Sequence, residues 1–187
     1  MPMTGPKTRR DRPRSFRLAS PRGAGVLPGM QCCGIGYDVH RLVAGRKCVL
    51  GGVEIPHPKG LDGHSDADVL LHAIADAILG AIGEGDIGKH FPNSDARWKG
   101  APSRVFLAEI RRMLEARGAS IANVDATVIA EAPKVLPHAP AMRDHIAGAL
   151  GIDPSRVNLK ATTNEGMGFI GREEGIAAFA VASVMVP

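Results

Sequence analysis

The spacing of apolar and polar positions changes several times along the chain, and each change marks an element. Val69, Leu70, Ala73, Ile74, Ala77 and Ile78 recur at helical spacing and predict a helix over residues 66–82, stopped by Gly83 and Gly85. Residues 102–117 predict a second helix, with Pro102 and Ser103 in its first turn and Gly118 at its C-terminal end. Residues 137–150 predict a third, ended by Gly151. Strands are expected over 34–43, over 47–55 with a bend at Gly51-Gly52, over 121–130 and over 156–163. Residues 175–186 form an apolar run of strand length, expected to be buried on both faces. Residues 56–63 and 84–101 read as loops. The order β-β-α-α-β-α-β-β predicts an α+β fold, a mixed sheet with helices packed on one face.

At 187 residues and 44% hydrophobic, the chain is long enough for one domain with a core. It holds no apolar run of 18 residues, so no membrane span is expected. Cys32, Cys33 and Cys48 are too few and wrongly spaced for a disulfide framework or a CxxC zinc knuckle, which suits a reducing, cytoplasmic setting. The net charge of +4 is unevenly spread. Residues 1–33 carry seven basic residues against Asp11 alone, a surplus of +6, so residues 34–187 carry −2. That balance, with 4% aromatics, argues against nucleic acid as a partner. Residues 1–33 also hold five prolines and read as a disordered basic extension. A start upstream of a natural initiator at Met30, a targeting peptide and a partner-binding arm all suit it. Its weak amphipathic pattern favours the first. Residues 34–187 are then the folded domain.

Four clusters of residues suggest chemistry. Asp38 and His40 alternate onto one face of the first strand and make a two-ligand edge for a divalent metal, although an exposed polar strand face would look the same. His64-Ser65-Asp66 precedes the first helix, where Ser65 or Asp66 suits an N-cap. His72 lies within that helix, four residues from Asp68 and from Asp76, and either carboxylate could orient its second ring nitrogen. His72 also reads as a core histidine. With Asp38 and His40 it would complete an Asp/His/His set with an open fourth position, the pattern of a catalytic zinc. In Lys160-Ala161-Thr162-Thr163-Asn164-Glu165, Lys160 and the hydroxyls suit phosphate oxygens and Glu165 suits Mg²⁺, while Thr162 and Glu165 also fit a helix capping box. Ala130 to Leu136 reads as a β–α connection whose backbone could meet the edge of a base.

The stretches GYDVHRL, GGVEIPHPKGLDGHSDADVLLHAIADAILGA, GDIGKHFPNSD, ATVIAEAPKVLPH and LKATTNEGMGFIGREEGIA run in order across residues 34–186. Together they resemble the 2-C-methyl-D-erythritol 2,4-cyclodiphosphate synthase family. The resemblance implies a homotrimer with active sites shared between subunits. It implies ring closure of 4-diphosphocytidyl-2-C-methyl-D-erythritol 2-phosphate, a small nucleotide substrate, with release of CMP, in non-mevalonate isoprenoid synthesis. Asp38, His40 and His72 match the family's zinc ligands, and Glu165 the ligand of a second cation, Mg²⁺ or Mn²⁺. His64 and Thr163 match the pair supporting the transition state. Ala130, Pro133, Lys134, Val135, Leu136 and Thr162 match the cytidine diphosphate pocket. Ser65, Asp86, Ile87, Gly88, Phe91, Pro92, Asn93, Ser94 and Asp95 match contacts to the methylerythritol phosphate part. Phe169 and Arg172 match further substrate contacts, Arg172 lying at a cavity on the trimer axis. Phe179 stands where some members carry an acidic residue beside that arginine, which implies weak binding of isoprenoid diphosphates there. The alternative reading is a metal-dependent phosphohydrolase using His64 as base.

Overall fold

The computed structural model describes residues 29–187. The expectation for residues 1–28 lies outside the described residues. Strand β1 spans Met30–Ala44, so residues 30–33, expected to belong to a disordered extension, are strand. Strand β7 spans Gly175–Val186 and pairs antiparallel with β1, from Met30 opposite Val186 to Arg41 opposite Gly175. β4 (Lys59–Leu61), β5 (Ser120–Ile129) and β6 (Val157–Thr162) complete a five-stranded sheet of order β4-β1-β7-β5-β6. Only β5 and β6 are parallel, so the sheet is mixed, as expected.

The predicted second strand is a small hairpin, β2 (Cys48–Leu50) and β3 (Val53–Ile55), outside the main sheet. Its two-residue turn puts Gly51 at φ 58° and Gly52 at φ 77°, the left-handed pair that such a turn requires. β4 falls within the segment expected to be a loop. It is three residues long and contains Gly60, too short to show alternation.

Helices α1 (Val69–Ala81), α3 (Arg104–Ala116) and α4 (Ala139–Leu150) supply the helical layer. α1 begins after Asp68, not at Ser65 or Asp66. Ala67 adopts φ 58°, which interrupts helical geometry just before the first turn. The Asp68 carboxylate accepts from Leu71 N–H at 3.2 Å, and from Gly51 and Gly52 N–H at 2.9 and 2.7 Å. One buried cap thus ties α1 to the hairpin turn. Burial pushes this carboxyl up to about 6, against the pull of the backbone N–H groups.

Alternation divides β1 into two faces. Gly34, Gly36, Asp38 and His40 face α1, and on β7 Ala178, Ala180 and Ala182 stand beside Asp38, Gly36 and Gly34. A methyl group on Gly34 would lie 2.0 Å from the Ala77 carbonyl oxygen, and one on Gly36 1.9 Å from that of Ala73. Helix backbone therefore rests directly on strand backbone. The opposite face carries Ile35, Tyr37, Val39, Phe179 and Val181, exposed at 70, 47, 39, 46 and 45%. β7 is thus not buried on both faces within one chain. The Tyr37 and Phe179 rings pack against each other there, tilted by 41° with centroids 4.6 Å apart.

Gly36→Ala should push α1 off β1 and lower unfolding free energy by about 2–3 kcal/mol, the scale of core overpacking. Urea denaturation checks this, and an unchanged midpoint would contradict the close contact.

Candidate active site

Three ligand atoms converge where α1 crosses β1. Asp38 Oδ2 lies 3.0 Å from His40 Nε2 and 2.9 Å from His72 Nδ1, and the two ring nitrogens are 3.1 Å apart. Their side chains are 25, 20 and 11% exposed, so the group is recessed but reachable. A tetrahedral zinc with bonds of about 2.0–2.1 Å has ligand–ligand edges of roughly 3.3–3.4 Å. The triangle is close to one face of that tetrahedron and leaves the fourth corner open to a cavity.

The hydrogen bonds behind the rings fix which nitrogen of each neutral ring carries the proton. His40 Nδ1–H donates to the Asp62 carbonyl at 2.7 Å, which leaves the Nε2 lone pair facing Asp38. Behind His72 stands Ser103. Its backbone N–H donates to Asp66 Oδ2 at 3.0 Å, and its hydroxyl donates to Asp66 Oδ1. With its proton given to Asp66, Ser103 Oγ accepts from His72 Nε2–H at 2.9 Å, which leaves the Nδ1 lone pair facing Asp38. With both rings neutral, three acceptors point at one another with no proton between them. That arrangement calls for a cation, and Asp38, His40 and His72 fit a divalent metal ion.

Without metal, a proton relieves the same crowding. Burial works to raise the Asp38 carboxyl, but the hydrogen bonds and charges of His40 and His72 outweigh it and hold the group well below the usual carboxylate range. Burial works to lower His40, yet Asp38 raises it above its ordinary value. Neither expected helical partner orients His72. Asp68 is spent on the cap, and Asp76 accepts from Ile87 N–H at 2.8 Å. Burial also raises the Asp76 carboxyl.

A cavity of about 370 Å³ opens in front of the three ligands. His64, Ser65, Ile87, Gly88, Phe91, Pro92 and Asn93 line it. Asp86, Ser94 and Asp95 do not. Asp86 caps the short helix α2 (Ile87–His90), and Asp95 is bound to Arg97. His64 Nε2 is buried without a partner on this wall. Arg46 holds the loop that carries His64, donating to the carbonyls of Gly63 at 3.1 Å and Ser65 at 2.9 Å. Phe106 and Trp98 close the cavity beside His72, packing on Phe91. Ser103 was read only as a first-turn residue of a helix, and Arg46, Trp98 and Phe106 were not singled out from the sequence. Their only local signal was a polar or aromatic residue near an element's end.

A second cavity, of about 290 Å³, lies at the ends of β5 and β6. Ala130, Pro133, Lys134, Val135, Leu136, Thr162 and Thr163 line it, so the two segments singled out separately are brought together. Thr163 Oγ1 donates to Glu165 Oε1 at 2.6 Å. No helix starts at Thr162, which rules out the capping box. The chain turns instead, with Glu165 at φ 52°, before α5 (Gly168–Gly171). Lys160 is not at this cavity; its Nζ pairs with Asp125 at 2.6 Å. Phe169 and Arg172 line a third cavity, where Arg172 Nε donates to Glu174 at 2.7 Å.

Ser103→Ala should keep the fold and weaken divalent-metal binding about 10–100-fold, the usual cost of losing a ligand's supporting hydrogen bond. Competition against a chromophoric chelator measures this, and unchanged affinity would remove Ser103 from the site.

The chain matches the YgbB family over residues 31–185. It is 63% identical over 148 residues to 2-C-methyl-D-erythritol 2,4-cyclodiphosphate synthase of Geobacter sulfurreducens, covering 79% of this chain and 94% of that protein. The bifunctional IspDF of Campylobacter jejuni superposes with TM-score 0.81 at 40% identity, over 85% of this chain and 43% of that one. A 2C-methyl-D-erythritol-2,4-cyclodiphosphate synthase structure in a CDP-bound form superposes with TM-score 0.74 at 39% identity, over 81% of this chain and 99% of that one. Nearly the whole described sheet, both walls of the metal group and the second cavity fall inside the matched span, and the chain belongs to the YgbB family.

Proposed function

We propose that the protein converts 4-diphosphocytidyl-2-C-methyl-D-erythritol 2-phosphate to the 2,4-cyclodiphosphate with release of CMP, in non-mevalonate isoprenoid synthesis, as a phosphorus–oxygen lyase of the cytoplasm. The observation that carries this is the convergence of ligand atoms from Asp38, His40 and His72 at the wall of a cavity, in a chain so similar to enzymes named for that product. The substrate's own 2-phosphate oxygen bonds to the β-phosphorus as the bond to the CMP oxygen breaks. The nucleophile is already an anion, so the protein needs no general base.

Asp38, His40 and His72 would hold zinc, and Glu165 a second cation, Mg²⁺ or Mn²⁺; when bound, these ions supply positive charge to the phosphoryl oxygens. The chain's own residues fold the substrate back on itself, and positioning an intramolecular nucleophile is worth roughly 7–11 kcal/mol in favourable cases. His64 and Ser65 hold the methylerythritol phosphate end, with Ile87, Gly88 and the Phe91–Asn93 wall. The His64 Nε2 atom, lacking a protein partner, is free to donate to a phosphate oxygen at the transition state. Thr163 serves the same end from the second cavity. Ala130, Pro133, Val135, Leu136 and Thr162 surround the cytidine, and Lys134 offers charge to its phosphates.

The two cavities share no lining residue within one chain. This supports sites completed between copies, as does the uncovered apolar strip of Ile35, Tyr37, Val39, Phe179 and Val181. The assembly is a homotrimer, with Arg172 and the Tyr37–Phe179 pair near its axis. Among the described residues no helix is long and apolar enough to cross a membrane.

Purified protein with Zn²⁺ and Mg²⁺ should yield CMP and the cyclic diphosphate in equal amounts. Inorganic phosphate or a linear product would favour the phosphohydrolase instead. His72→Ala should lose zinc and nearly all turnover while sedimenting as a trimer; turnover without zinc would sink the metal assignment. Glu165→Gln should keep zinc but need more Mg²⁺ for half-maximal rate, and an unchanged Mg²⁺ titration would contradict its role.

A further inference from the structure

The turn carrying Thr163 and Glu165 has little to hold it in place. β6 ends at Thr162 and α5 begins at Gly168, and Glu165 sits between them in a left-handed conformation that a β-carbon disfavours. Within the turn, Met167 N–H donates to the Asn164 carbonyl at 2.9 Å, and Asn164 Nδ2 donates to the Met167 carbonyl at 2.7 Å. Those bonds shape the turn without fixing it to the body of the protein.

Glu131 supplies the anchor. A single oxygen of its carboxylate, Oε1, accepts from Asn164 N–H at 2.9 Å and from Gly166 N–H at 3.1 Å. These are the amides on either side of Glu165. Pinching them onto one acceptor fixes the Thr163–Asn164 and Glu165–Gly166 peptide planes, and between them the Glu165 carboxylate accepts from Thr163 Oγ1. Glu131 also follows Ala130, whose N–H donates to the Thr162 carbonyl at 3.0 Å, and it shares a loop with Lys134 and Leu136. It therefore joins the two segments that wall the second cavity.

We propose that Glu131 is a positioning residue, which acts through backbone amides to hold Thr163 and Glu165 in register with the cavity. The proposal rests on reading that cavity as the nucleotide diphosphate site. Its requirement is geometric: one acceptor at the reach of a glutamate side chain. A glutamine keeps that acceptor and that reach without the charge. An aspartate keeps the charge but is one methylene short of the two amides.

Calorimetry with CDP and Mg²⁺ on the zinc-loaded protein tests this, with zinc content and thermal midpoint measured in parallel. Glu131→Gln should bind CDP within about threefold of the unmodified protein. Glu131→Asp and Glu131→Ala should bind at least about tenfold more weakly, roughly 1.4 kcal/mol, with zinc content unchanged. The same two variants should lower kcat and raise the Mg²⁺ needed for half-maximal rate. If Glu131→Asp and Glu131→Ala bind CDP as the unmodified protein does, the positioning role is wrong and the cavity assignment stands. An Asp variant that works while the Gln variant fails would replace the role with one of charge alone. Absence of CDP binding by the unmodified protein would overturn the cavity assignment and the proposal with it.

Discussion

Helix α1 lies on strand β1 with no side chain between them over Gly34 and Gly36, and the site depends on that contact. The Ala73 and Ala77 carbonyls occupy the space that β-carbons on those glycines would need. Two residues further along the same strand face, the small side chains give way to Asp38 and His40. At that level α1 presents His72. An axial separation set by backbone contact is short enough for an imidazole from the helix to meet a carboxylate and an imidazole from the strand at about 3 Å. Larger residues at either glycine would hold the helix off the strand and leave the three ligands apart.

The surrounding polar groups serve this contact. Asp68 caps α1 and at the same time anchors the turn of the β2–β3 hairpin, which fixes where the helix begins. Asp66 is free to grip Ser103 because it does not cap the helix. Ser103, placed by the start of α3, then selects the tautomer of His72. Arg46 and the Asp62 carbonyl do the equivalent for the loop of His64 and the ring of His40. Burying several polar groups here is tolerable because most have a partner, and the two that lack one, His64 Nε2 and Trp98 Nε1, belong to residues that line the cavity.

The two faces of the sheet divide the work. The helical face holds the core and the metal group. The other face carries an aromatic and aliphatic strip that a lone chain leaves in water, and the Asp125–Lys160 pair beside it. The C-terminal ends of β5 and β6 hold the second cavity at the sheet's far side from β4. Among the described residues the two cavities share no lining residue, which supports the proposed assembly of the active site between copies.

The amino-acid sequence by itself determined the helices, the long strands and the mixed-sheet class, because a buried face repeats at a period set by local backbone geometry. It also placed Asp38 and His40 on one face, since two residues apart on a strand leave no other choice. Short elements were beyond it: β4 has three residues, and the β2–β3 pair read as one strand because its turn is only two glycines long. The burial of β7 was overread for a related reason. An apolar run records that a strand's faces are apolar, not that one chain covers them both. The supporting roles of Ser103, Arg46 and Glu131 were decided by tertiary structure alone. Each acts on residues 17 to 35 positions away, through a hydrogen bond whose existence depends on how separate elements pack. No local period or spacing encodes a contact of that kind, so these residues look like any other polar side chain until the fold brings their partners within reach.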